Sequence, residues 1–239
     1  MNLKKTSIIL FFAIFSIQSS FQSAFASKIS LGSIIVDFKD DKTKFIDVPV
    51  YNGNNDGKKA YVKVSVFEVL NPGTDKEKRV ATQKGQTQSL IVSPQKLVIP
   101  YEGQQNIRFV SLLKNLKEDK IFRVKVEPVI GKVSSSAKQA VKVLIAYETL
   151  VMVRPANPLP IIDGNRDGKK LKLKNTGNTN TVIKEIRQCP SGALKDSDKC
   201  KEVPGTRLYA GNIKEFDLPY DNEVDVTFDV NGKDEIKTF

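Results

Sequence analysis

From Val141 to Val153 the odd positions read Val, Val, Ile, Tyr, Thr, Val, Val. The even positions are also largely apolar, with Leu144, Ala146, Leu150 and Met152 interrupted by Lys142 and Glu148. A period of two rich in β-branched residues predicts a strand. At about 3.3 Å per residue it runs roughly 40 Å, well beyond the ordinary strand of about 5–6 residues. A strand apolar on both faces has to be covered on both. A two-layer sandwich supplies one cover from its own core, so the second face needs another.

Shorter runs of the same kind fill the chain after residue 26, where helical periodicity is scarce. They cover Lys28–Phe38, Lys44–Tyr51, Ala60–Leu70, Ser89–Ile99, Asn106–Leu113 and Ile121–Ile130, ahead of the long strand. Turn chemistry separates them: Asn52-Gly53-Asn54-Asn55-Asp56-Gly57, Asn71-Pro72-Gly73 and Glu102-Gly103. Closely spaced strands of this length are the pattern of an immunoglobulin-like sandwich, here without the Cys…Trp…Cys set of antibody domains. Pro155, Pro158 and Pro160 then break strand continuity and place a domain boundary near Ala156. Beyond it, strands are expected over Lys170–Leu173, Thr181–Arg187, Thr206–Tyr209, Ile213–Leu218 and Val224–Val230. The fold class is therefore all-β, with a sandwich over 27–156 and a smaller one over 157–239.

The start of the chain changes the setting. Lys4 and Lys5 precede the apolar run Ile8–Phe15, and Ala24-Phe25-Ala26 supplies a small-x-small cleavage pattern. Residues 1–26 read as a secretory signal peptide, and the apolar run is too short to span a bilayer. Removing 26 of 239 residues leaves 213, and losing Lys4 and Lys5 lowers the formal charge from +11 to +9. That balance often points to nucleic acid. Export argues against it, and the lysines are scattered along strands and turns as edge-protecting charge rather than gathered with aromatics. In an oxidising compartment Cys189 and Cys200, across a Pro-Ser-Gly turn, are expected to form a disulfide. Closing so short a loop is worth about 3 kcal/mol in the chain-entropy model.

Little else carries chemistry. The chain has no histidine, which removes the commonest general base and zinc ligand. No G-x-S-x-G or Walker A loop is present. Asp163-Gly164-Asn165-Arg166-Asp167-Gly168 imitates half a calcium loop, but Lys174 holds its twelfth position; the 52–57 segment fails likewise at Lys63. Both read as Asn/Asp/Gly turns. No enzyme activity, metal or cofactor is expected.

Several segments resemble one family in the same order. Leu90-Ile91-Val92-Ser93-Pro94-Gln95-Lys96-Leu97-Val98-Ile99-Pro100 resembles the V-x-P…L-x-P-G stretch of the periplasmic chaperones that assemble pili by the chaperone–usher pathway. Gln105–Phe109 is similar to that family's next strand with its arginine, Phe122–Pro128 to the strand ending in Glu, and Val153-Arg154-Pro155 to the end of its seventh strand. Asn71–Thr74, Ser93–Lys96 and the late cysteine pair favour the alternate, alpha-type branch.

The resemblance implies two immunoglobulin-like domains in an L, no catalysis, and capping of pilus subunits that lack their last strand. The chaperone's seventh strand fills the gap by β-augmentation, and the subunits pass to an outer-membrane usher. The donated side chains fall on Val141, Val143 and Ile145. In the other register these face the domain's own core, and Leu144 and Ala146 face out. Arg108, Glu127 and Arg154 match an internal ion-pair cluster. The basic pair that anchors a subunit's terminal carboxylate is missing: Leu150 and Ile34 or Ile35 stand there, and Lys39 and Lys142 are the nearest basic residues. Self-association of the free chaperone is one way an open edge of this kind is hidden, and the sequence leaves its oligomeric state open. A structural subunit or adhesin of a surface fibre is the alternative, although Ser27-Lys28-Ile29 runs straight into the first strand with no detachable donor segment.

Overall fold

The computed structural model describes residues 28–40, 42–54, 56–82, 89–129, 144–194 and 197–239, and among them every regular element is a strand. In the first sandwich these are β1 (Ile29–Leu31), β2 (Ile35–Phe38), β3 (Phe45–Asn52), β4 (Ala60–Leu70), β5 (Lys78–Ala81), β6 (Leu90–Ser93), β7 (Lys96–Ile99), β8 (Gln104–Ser111), β9 (Lys120–Pro128) and β10 (Tyr147–Val153). One sheet runs β1-β3-β8-β6; the other runs β2-β10-β9-β4-β5, with β7 pairing the start of β4.

Two expected strands are each split, and both halves change sheets. Over Lys28–Phe38 the break falls at Gly32, whose N–H donates to the Pro49 carbonyl at 2.9 Å. A Cβ at this glycine would meet Pro49 Cγ at 2.6 Å, so only glycine lets the chain pass that close. Ser33 Oγ then bonds the Ile35 backbone and fixes the bend. Over Ser89–Ile99 the break falls at Pro94, which follows a cis peptide bond and has no N–H for a ladder. Alternation closes the core between the sheets: Val62, Val64 and Val66 of β4, Phe122, Val124 and Val126 of β9, and Val151 and Val153 of β10 are buried together.

The second sandwich holds β11 (Ile162–Asp167), β12 (Lys170–Asn175), β13 (Thr181–Gln188), β14 (Lys201–Pro204), β15 (Arg207–Leu208), β16 (Ile213–Asp217), β17 (Asp225–Val230) and β18 (Lys233–Thr238). Its sheets run β11-β12-β16 and β14-β13-β17-β18, with β15 beside β13. Leu171, Leu173, Ile183, Ile186, Val226 and Phe228 form a separate core. Cys189 and Cys200 are disulfide-bonded. The Asp163–Gly168 segment, read from sequence as a turn, is mostly strand: Asp163–Asp167 ladder with β12, and only Gly168, at φ +56°, turns the chain.

Side chains of both sandwiches close the junction. Asp119, in the β8–β9 loop, accepts from Thr179 Oγ1 at 2.8 Å, from the Asn180 backbone N–H at 2.6 Å and from Asn180 Nδ2. Asn212 Nδ2 donates to the Pro72 carbonyl at 2.7 Å. Beside these lies a small apolar cluster of Val69, Ile121, Leu150, Met152 and Tyr209.

Candidate functional site

Strand β10 changes character along its length. Its inner residues Val151 and Val153 belong to the first core, while Leu150 and Met152 point the opposite way, as alternation requires. That outer pair is nonetheless buried, Met152 to 2 % exposure, against Tyr209 of the second sandwich. The second cover demanded by a twice-apolar strand is thus supplied here by the chain itself, not by a partner.

The residues just before the strand are different. Leu144 is 41 % and Ile145 48 % exposed, and Ala146 is exposed as well. Carried back two residues, the alternation of Tyr147, Thr149 and Val151 assigns Ile145 to the sheet's inner side, past the end of the core that would bury it. The described strand begins at Tyr147, shorter than the sequence predicts; Val141, Lys142 and Val143 lie outside the described residues.

The strand's two edges are unequal too. β9 pairs with Tyr147–Val153 along one edge, and β2 pairs in parallel with Leu150–Val153 along the other. Among the described residues no ladder occupies that second edge from Tyr147 to Thr149. It is flanked by two further exposed isoleucines, Ile34 at 57 % and Ile35 at 46 %. An edge without a ladder beside exposed apolar side chains is what an added strand requires.

The three charges expected to cluster do not meet. Arg108 pairs with Asp47 at 2.7 Å on the surface and covers the Phe45 ring at 4.3 Å. Glu127 pairs with Lys125 at 2.6 Å, its neighbour two residues along β9. Arg154 alone sits at the junction: Nε and Nη2 bond both Asp37 oxygens at 2.8 and 3.0 Å, and Nη1 donates to Thr179 Oγ1 at 2.7 Å. The separation follows from topology, because Arg108 is in the β1-β3-β8-β6 sheet and the other two in or beside the opposite one. Burial disfavours the charge of Arg154, but the hydrogen bond and charge of Asp37, with help from Asp119 and Asp229, outweigh it and raise its pKa.

Between the sandwiches a cavity of about 340 Å³ opens beside this pair, with Ile35, Met152, Lys39, Arg154 and Arg207 among its lining. Lys39 is therefore placed at the junction. Asp119, Arg207 and Tyr209 have no signature in the sequence. Asp37 is the one polar residue between Val36 and Phe38, a weak signal, and its partner is 117 positions away.

No family model matches the chain. It is 28% identical over 173 residues to a CS1 fimbrial subunit of Escherichia coli, covering 69% of this chain and 71% of that protein. Among solved structures it resembles the class 5 fimbriae chaperone CfaA, with a TM-score of 0.65 at 24% identity, covering 88% of this chain and 98% of CfaA. A chain of the Salmonella enterica SafA pilin–SafB chaperone complex gives 0.59 at 14% identity, covering 89% and 96%. The fold is that of the chaperone–usher pilus chaperones, over nearly the whole chain.

Proposed function

We propose that this protein is a periplasmic chaperone of the chaperone–usher pathway, in its alternate branch, which caps fimbrial subunits and delivers them to an outer-membrane usher. One observation carries the reading: the exposed apolar residues Leu144–Ala146 lead into β10, whose edge has no ladder from Tyr147 to Thr149 among the described residues, and the strand then continues into a half sealed by the second sandwich. A strand that is fixed at one end and bare at the other is suited to completing a neighbour's sheet. The role is non-enzymatic. Residues 1–26 act as the leader, and 27–156 and 157–239 fold as the two domains. Solved relatives of the same fold were captured as complexes with a pilin and with tip adhesins. Likeness to such chaperones over both sandwiches supports this reading over that of a fibre subunit.

Val141, Val143 and Ile145 are the donated residues, each worth about 1.5–3 kcal/mol when buried in the subunit. Ile145→Asp would place a charge in an apolar groove while leaving the exposed site in the free protein undisturbed. The expected result is an unchanged melting temperature and at least about a tenfold loss of co-purified fimbrial subunit, equivalent to about 1.4 kcal/mol. Undiminished co-purification contradicts the donor role.

A further inference from the structure

β18 ends one sheet of the second sandwich: it pairs β17 along one edge and, among the described residues, no strand along the other. All six of its residues are exposed, and Ile236 leaves 68 % of its surface in solvent. The hairpin fixes which backbone groups are free. Phe239 and Val224 exchange both backbone bonds, at 3.0 and 3.1 Å. Antiparallel alternation then turns the N–H and C=O of Lys237, Glu235 and Lys233 toward β17, and those of Thr238, Ile236 and Asp234 outward. Glu235 and Lys237 lie opposite Phe228 and Val226, so they share the inner side of the sheet with the core. Lys237 Nζ donates to the Ile162 carbonyl at 3.3 Å, and among the described residues neither Glu235 nor Lys237 has an ion-pair partner. On the outer side Asp234 is paired with Lys184, which leaves Ile236 bare.

Charges aimed inward on an edge strand guard it against unlike strands. Here the run Lys233-Asp234-Glu235-Ile236-Lys237-Thr238 is also complementary to itself. Two copies joined edge to edge by a two-fold axis make identical bonds, which only the antiparallel ladder allows. Outward groups have to meet outward groups, so the axis passes through a residue, and charge decides which. An axis at Glu235 sets it against its own copy and Lys233 against Lys237. An axis at Asp234 or Lys237 likewise sets that residue against its own copy. An axis at Ile236 sets Glu235 against Lys237 twice and brings the two bare isoleucines together. We infer that β18 is a self-association edge, through which two copies of this chain join their second sandwiches by antiparallel pairing centred on Ile236. So short a ladder makes a small contact, so the dimer is weak and reversible. The inference stands apart from the chaperone reading, whose strand β10 belongs to the other sandwich.

The test is sedimentation equilibrium of the mature chain from about 10 µM to about 1 mM, where a monomer–dimer equilibrium is expected. Glu235→Lys or Lys237→Glu alone puts like charges opposite each other on both sides of the axis. Each is expected to weaken the dimer at least about tenfold with an unchanged melting temperature. The double variant Glu235→Lys/Lys237→Glu, and an equimolar mixture of the two single variants, are expected to dimerise within about threefold of the parent. Recovery in the mixture cannot arise within one chain. In the unmodified chain the amides of Asp234, Ile236 and Thr238 are expected to exchange more slowly at the higher concentration. A chain monomeric at about 1 mM, single variants that dimerise like the parent, or a mixture no better than its components overturns the inference. Exchange of those three amides that is indifferent to concentration also overturns it. So does loss of the dimer on Ile145→Asp, which would place the contact on the first sandwich.

Discussion

Thr149 shows how residue chemistry and position can disagree. It is completely buried on the inner face of β10, between Tyr147 and Val151, and its hydroxyl has no hydrogen-bond partner. A buried hydroxyl without a partner carries a desolvation cost of about 1–3 kcal/mol. Thr149→Val keeps the shape and removes the cost, so chemical denaturation is expected to show a gain of about 1 kcal/mol. A loss of stability would mean that the hydroxyl is bonded. Arg154 poses the opposite case, since its cation is buried with a matched partner. Asp37→Ala leaves that cation hydrogen-bonded only to neutral groups, with Asp119 and Asp229 acting without direct contact, and is expected to cost about 3 kcal/mol in the same measurement. Equal stability of variant and parent would show that Thr179 and Asn180 suffice. The signal for Arg154 was legible in the sequence, because Val153-Arg154-Pro155 marks a strand end. Its partner was not, because spacing along the chain says nothing about a contact made by two strands in parallel register.

At the scale of elements, alternation was a good guide wherever one strand serves one sheet. Ala60–Leu70 is legible end to end as β4, since its even positions Val62, Val64 and Val66 form a continuous core stripe. It failed where a strand crosses between sheets, at Gly32 and Pro94, because the local pattern continues unbroken through the crossing. It failed again on β18, Lys233–Thr238, whose six residues are all exposed and show no apolar period to read. The two-faced apolar pattern was legible, but its explanation divides: Leu150 and Met152 answer to Tyr209, and only Leu144–Ala146, ahead of β10, remain exposed. Tyr209→Ala uncovers that pair. The expected cost is about 3 kcal/mol, with a single calorimetric transition separating into two as the sandwiches uncouple. One unshifted transition would show that the polar contacts of Asp119, Arg154 and Asn212 hold the junction without Tyr209.

For the whole molecule, one strand links two tasks. Its last residues help fasten two sandwiches together, and the residues before them stand open on an edge that β2 stops short of covering. The all-β class and the disulfide follow from residue pattern and spacing. The need for a second cover could be anticipated from sequence, while the junction cavity depends on residues from five separate segments. The most direct test is amide hydrogen exchange on the mature protein, free and bound to a fimbrial subunit. Backbone amides of Leu144–Thr149 that do not bond β9 are predicted to exchange quickly in the free protein and become protected in the complex. Those of Leu150–Val153 are predicted to be protected in both. Protection of the earlier amides in the free monomer, or their continued rapid exchange in the complex, would contradict the account.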